Sequence, residues 1–153
     1  MVYVTRKTHF SASHRLYNPT FSDEKNEAIF DKCNNPNGHG HNYILEVTVR
    51  GIPDPHTGYV LDLKLLRDIL ENEIIEKVDH KHLNYDVDFL SGIIPTAENL
   101  AIVFWGIIER NLPAGELHSV KLFESDANFV EYFGEPVSIP RYTLKIKNKE
   151  IPV

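Results

Sequence analysis

Two stretches of the chain alternate apolar and polar residues with period two. Val2 to His14 places Val2, Val4, Phe10 and Ala12 on one parity. His39 to Arg50 places Tyr43, Leu45, Val47 and Val49 on one parity, with Asn42, Glu46, Thr48 and Arg50 on the other. Period two is that of a strand with one buried face, so both stretches are predicted strands. The run Gly51-Ile52-Pro53-Asp54-Pro55-His56-Thr57-Gly58 is turn chemistry and ends the second. The period then changes to helical. Asp62 is a predicted N-cap for a helix reaching about Val78, with Leu63, Leu66, Leu70 and Ile74 on one face. Thr96, after Pro95, caps a second helix running to about Asn111, and Leu100, Val103, Phe104, Ile107 and Ile108 fit the i, i+3, i+4, i+7, i+8 pattern. Leu117 to Ser125 and Phe129 to Phe133 read as strands around the turn Asp126-Ala127-Asn128. The order strand-strand-helix-helix-strand-strand predicts an α+β fold, an antiparallel four-stranded sheet with two helices on one face.

Two connections exceed what a compact fold needs, residues 15–38 and 79–95, and long loops in small domains tend to carry function. No repeat or linker divides the 153 residues, so residues 1–153 are expected to form a single domain. The tail from Glu135 to Val153 receives no function. An edge strand over Tyr142 to Ile146 is its only structural expectation, and three prolines in the tail weigh against it.

Composition narrows the function classes. Hydrophobic residues make up 42% and charged residues 25%, enough apolar matter for a packed core. No apolar run is long enough to span a membrane, and the N-terminal stretch lacks the apolar segment of a signal peptide. Twenty-two acidic residues against 16 basic ones, with no basic block, argue against nucleic acid as the main partner. A single cysteine excludes an intramolecular disulfide framework and fits a cytoplasmic location.

Strand parity gives the histidines meaning. His39 and His41 share the face of Tyr43, Leu45 and Val47, and His14 shares that of Phe10 and Ala12. Pairing the two strands would gather three imidazoles at one end of the sheet, the donor set of a catalytic zinc with one open position. Cys33 precedes them in Cys33-Asn34-Asn35-Pro36-Asn37-Gly38-His39, a turn-rich loop. Three readings of it stay open: an activated thiolate base, a fourth ligand closing a structural zinc site, and an inert thiol. Asp79-His80 pairs a carboxylate with an imidazole it could orient for proton transfer, and His82 lies two residues on. Glu124 falls on the stripe of Val120 and Leu122, where a carboxylate needs either a partner or a ligand with donors.

These motifs resemble the 6-pyruvoyl tetrahydropterin synthase family. The likeness rests on CNNPNGHGHNY at Cys33 to Tyr43, Ser11-Ala12-Ser13-His14-Arg15-Leu16 upstream and Asp79-His80-Lys81 downstream, and it runs from about Thr8 to Phe133. The long first loop, with Leu16-Tyr17 and Phe21-Ser22-Asp23-Glu24, is similar to the animal-type members. The resemblance implies a tunnelling fold (T-fold), subunits joined through their sheets into a homohexamer of two trimers, and active sites at subunit interfaces. It implies Zn2+, one per subunit, on His14, His39 and His41, Cys33 as catalytic base, and Asp79 with His80 completing a proton relay. It further implies that Glu124 anchors a pterin ring and that Thr96 lines the pocket. Ala97 departs from the family's second threonine.

The implied activity is that of a lyase of tetrahydrobiopterin biosynthesis. It would convert 7,8-dihydroneopterin triphosphate to 6-pyruvoyl-tetrahydropterin and triphosphate, with Mg2+ assisting the triphosphate. The alternatives are 6-carboxy-tetrahydropterin synthesis from the same substrate and a non-catalytic zinc protein.

Overall fold

The computed structural model describes residues 1–143. Strands β1 (Val2–His14) and β2 (His39–Gly51) pair antiparallel without a break, from Val2 opposite Gly51 to His14 opposite His39. β4 (Glu116–Phe123) pairs with β2 through a bulge between Thr48 and Val49, and β5 (Phe129–Tyr132) pairs with β4. The fifth strand is short. β3 (Lys81–His82) runs parallel to β1, opposite Ala12 and Ser13, and the sheet order is β3-β1-β2-β4-β5. The sheet is therefore five-stranded and mixed, where four antiparallel strands were expected. Two residues carry no readable period, and β3 exists because the chain after the helix hydrogen-bonds β1: the amides of His80 and Leu83 donate to the carbonyls of Ser11 (2.6 Å) and Ser13 (2.8 Å).

The helices account for the rest. α2 (Leu63–Leu70) starts at the expected cap, where the Asp62 carboxylate accepts from the Lys64 amide at 2.9 Å. It continues through a π-helical turn (Glu71–Ile75) into the last turn, α3 (Glu76–Val78). The wider turn brings the consecutive Ile74 and Ile75 both inward, while Leu63, expected on the apolar face, is largely exposed. α4 (Ala97–Asn111) is capped by Thr96, and Leu100, Phe104, Ile107 and Ile108 are buried as the spacing predicted. α1 (Asp23–Phe30), inside the first long loop, was not expected. Its only buried residue is Asn26, so it has no apolar stripe; Ser22 followed by Asp23 and Glu24 is the capping signal that marks it.

The core lies between one sheet face and α2–α4. On β2 it takes Tyr43, Leu45, Val47 and Val49, all with no exposed surface, and on β1 it takes Phe10 and Ala12. Burying a side chain of this kind contributes about 1.5–3 kcal/mol, so the β1–β2 pair is firmly seated just below His14, His39 and His41. Beyond β5 the chain runs without regular structure to Thr143. Tyr142 and Thr143 are irregular, and the remainder of the expected edge strand lies outside the described residues.

Candidate metal centre and its surroundings

The β1–β2 register sets His14 opposite His39 and Ala12 opposite His41. Because all three histidines sit on the core parity, their rings converge, with centroids 4.6, 5.1 and 4.9 Å apart and planes at 69–89°. His14 Nε2 lies 3.0 Å from His39 Nε2. Glu124 follows directly on β4, its amide held by the Asn128 carbonyl at 3.0 Å. Its Oε1 stands 3.1 Å from His41 Nε2 and 3.3 Å from His14 Nε2. The four donor atoms all lie within 4.8 Å of one another.

The tautomer of His14 follows from its neighbours. Nδ1 is 2.8 Å from the Pro95 carbonyl oxygen, which can only accept, so Nδ1 carries the proton and Nε2 turns a lone pair inward. Burial pushes the His14 pKa down to about 4, against the Pro95 carbonyl, and His39, His41 and His82 add to the lowering. Burial also lowers His41, opposed by Glu124 and assisted by His39. Neutral imidazoles with inward lone pairs are the form that binds a metal. The buried His41 Nε2 and His39 Nδ1 have no hydrogen-bond partner among the described residues. A metal ion fits the first of these. Donors 2.0–2.1 Å from a tetrahedral zinc lie about 3.3 Å from one another, near the 3.0 Å between His14 Nε2 and His39 Nε2.

Tyr43, the next core residue on β2, places its hydroxyl 3.3 Å from His14 Nδ1 and stacks on Phe10. Burial, then the Glu124 charge, raises its pKa, so it stays a phenol. Neither Tyr43 nor the Pro95 carbonyl was singled out from sequence: a core-parity tyrosine reads as packing, and a carbonyl has no sequence signal.

Cys33 lies in a 3₁₀ turn (Asp31–Asn34) and is half-buried. Its carbonyl accepts from the Leu16 amide at 2.8 Å, and Arg15 grips the Asn34 carbonyl and side chain, each at 3.0 Å. The turn is thus tied to the two residues that follow His14. The thiol is absent from the donor group, whose fourth member is Glu124. The reading of Cys33 as a fourth zinc ligand is not met by this geometry.

Asp79 and His80 do pair, with Oδ2 and Nδ1 2.9 Å apart. The other carboxylate oxygen accepts from the Ser11 amide at 2.9 Å, and this bond holds the Asp79 carboxyl below its usual range, opposed by burial and assisted by His80. His80 has a left-handed backbone (φ 58°) and an exposed ring. The pair immediately precedes the edge strand β3, and His80 lines an open groove with Ser13, His41, Lys81 and His82. No hydrogen bond joins it to Cys33 among the described residues.

Thr96 uses its hydroxyl to cap α4, accepting from the Asn99 amide at 3.2 Å, and Ala97 behind it is buried. His82, which sequence left without a role, is half-buried, stacks on Tyr85 at 4.4 Å and accepts from the Asn84 amide through Nδ1. Gly38 (φ 75°) allows this crowding: a Cβ there would lie 2.9 Å from His82 Nε2 and 3.0 Å from the His14 carbonyl.

Comparison with known proteins adds a second line of support. A family model described as 6-pyruvoyl tetrahydropterin synthase matches residues 3–135. The chain is 48% identical over 132 residues to the 6-pyruvoyl tetrahydrobiopterin synthase of Homo sapiens, covering 86% of this chain and 91% of that one. It also superposes on the structure of Caenorhabditis elegans 6-pyruvoyl tetrahydropterin synthase with a TM-score of 0.83 at 38% identity, covering 88% and 96%. A 6-carboxy-5,6,7,8-tetrahydropterin synthase of Rickettsia bellii is more distant, 28% identical over 150 residues, covering 86% of this chain and 99% of the relative. Among the described residues no helix is long and apolar enough to cross a membrane.

Proposed function

The chain belongs to the 6-pyruvoyl tetrahydropterin synthase family and is an enzyme, and from that premise we propose that it converts 7,8-dihydroneopterin triphosphate into 6-pyruvoyl-tetrahydropterin with release of triphosphate. The observation that carries this reading is the convergence of His14, His39 and His41 with Glu124 around a point that His41 Nε2 faces without a hydrogen bond.

His14, His39 and His41 would hold one Zn2+ per subunit, with the His14 tautomer set by Pro95. When bound, the ion supplies a Lewis acid that eases charge build-up on a substrate oxygen. The chain's own residues do the rest. Cys33, as thiolate, takes a proton from the substrate side chain. His80, oriented by Asp79, moves protons onward, and its exposed ring suits a group that shuttles between site and solvent. The Glu124 carboxylate accepts from the nitrogen donors of the pterin ring, and Thr96 lines the pocket. The reaction moves reducing equivalents from side chain to ring while triphosphate leaves, so it consumes no nicotinamide. Mg2+ assists the triphosphate.

The exposed Asp79–His80 pair, apart from Cys33 within one chain, agrees with a site completed between subunits. Residues 1–153 would form one domain of a T-fold homohexamer, two stacked trimers. Both outer strands support that assembly: among the described residues β3 covers β1 only at Ala12 and Ser13, β5 has no partner on its outer edge, and Tyr3, Phe129 and Phe133 are exposed. The compartment in this reading is the cytoplasm. The carboxy-forming alternative has weaker support, because that name attaches to a relative at 28% identity against 48% for a pyruvoyl-named one.

Glu124 tests the site most cleanly, since its carboxylate stands within reach of both ring and metal. Glu124→Ala is expected to keep one zinc per chain and to bind a pterin about 10- to 100-fold more weakly, the worth of a charge-assisted hydrogen bond or two. Metal analysis and fluorescence titration read the two effects separately. Unchanged pterin affinity would remove Glu124 from the pocket, and loss of zinc would make it a ligand.

A further inference from the structure

The tail raises a question of its own, because the family match ends at residue 135 while ordered contacts continue to Tyr142. Past Glu135 the chain crosses to the loop before α4. Arg141 donates to the carbonyls of Ser91 (3.0 Å) and Phe89 (3.3 Å), and the Tyr142 amide donates to the Gly92 carbonyl at 2.7 Å. The fit is close on both sides. Gly92 has φ 78°, and a Cβ on it would stand 2.5 Å from the Tyr142 carbonyl oxygen.

Tyr142 then reaches the first long loop. Its hydroxyl accepts from the Asn18 side-chain amide at 3.2 Å. Asn18 is buried and is the hub of that loop. It exchanges two bonds with Asn26 (2.8 and 3.0 Å), and its side-chain oxygen accepts from the amide and hydroxyl of Thr20. Tyr142 therefore satisfies the donor that the loop leaves over. Three and two residues upstream of the hub, Arg15 and Leu16 hold Asn34 and Cys33.

We propose that residues 135–143 form a strap and that Tyr142 is a positioning residue, fixing the first loop through Asn18 and, through Arg15 and Leu16, the turn that carries Cys33. The link from this placement to turnover rests on the proposed role of Cys33 as base. The placement itself does not.

Cys33 is the only cysteine in the sequence, so alkylation by iodoacetamide reports this turn alone. Tyr142→Phe removes one hydrogen-bond acceptor and leaves the backbone grip on Gly92 intact. It is expected to speed Cys33 alkylation about fivefold, the effect of one lost hydrogen bond on a local opening, and to speed hydrogen exchange over residues 15–26. Exchange in β2 should keep its normal rate, which a general loss of stability would not allow. The double variant Arg141→Ala with Tyr142→Ala should go further in the same direction, and Tyr142→Phe is read alone if the double variant does not fold. Normal alkylation and loop exchange in Tyr142→Phe would overturn the proposal. So would acceleration extending to β2, or a loss of turnover with the thiol rate unchanged.

Discussion

His41→Ala is expected to empty the metal centre and to lower turnover by on the order of 10³-fold. The size follows from the several kcal/mol of charge stabilisation that a Lewis acid supplies, each 1.36 kcal/mol being a factor of ten. His41 is the better of the three to remove. His14 has no exposed surface and its Nδ1 serves the Pro95 carbonyl, so its loss would open a cavity and strand a buried acceptor. His41 is partly exposed, and its Nε2 makes no hydrogen bond among the described residues beyond its 3.1 Å approach to the Glu124 carboxylate, so the fold loses little with it. Metal content by atomic emission, turnover and the thermal midpoint should be measured on the same preparation. The expected pattern is little metal, little activity and a midpoint close to that of the wild type without metal. A variant that kept its metal and its rate would remove His41 from the centre.

Cys33→Ala should separate chemistry from metal binding in the opposite way. A positioned base contributes about 10²- to 10⁴-fold, so turnover should fall by that much while zinc stays at one per chain. The second half of this outcome follows from the grouping of His14, His39, His41 and Glu124, which lacks the thiol. Single-turnover kinetics with metal analysis check it. Loss of zinc together with activity would restore the closed structural site in which the thiol is a ligand.

What could be read from the sequence follows from which signals are local. Parity is local, so it assigns a face to Phe10, Ala12 and His14 on one strand and to His39, His41 and Tyr43 on the other without reference to the pairing. Caps are local too, and Asp62 and Thr96 start their helices as expected. Asp79 and His80 adjoin in sequence, which made the pair legible, but its seat beside Ser11 depends on β3. A two-residue strand made by tertiary hydrogen bonds has no period to detect. α1 escaped for a related reason, since a helix that buries only an asparagine shows no amphipathic stripe. Glu124 was legible as a carboxylate on an apolar face. Its approach to His14 and His41 depends on where β4 ends in the sheet, which no local pattern carries. The Pro95 carbonyl is harder still, being a backbone atom of a loop that meets His14 only in the folded chain.

The identity of the product decides which reaction this enzyme carries out. Purified protein carrying one zinc per chain is incubated with 7,8-dihydroneopterin triphosphate and Mg2+, without nicotinamide, and the pterin formed is identified by mass spectrometry. The expected result is 6-pyruvoyl-tetrahydropterin with one equivalent of inorganic triphosphate. A 6-carboxy-tetrahydropterin product, or unchanged substrate in the presence of the metal, would contradict it.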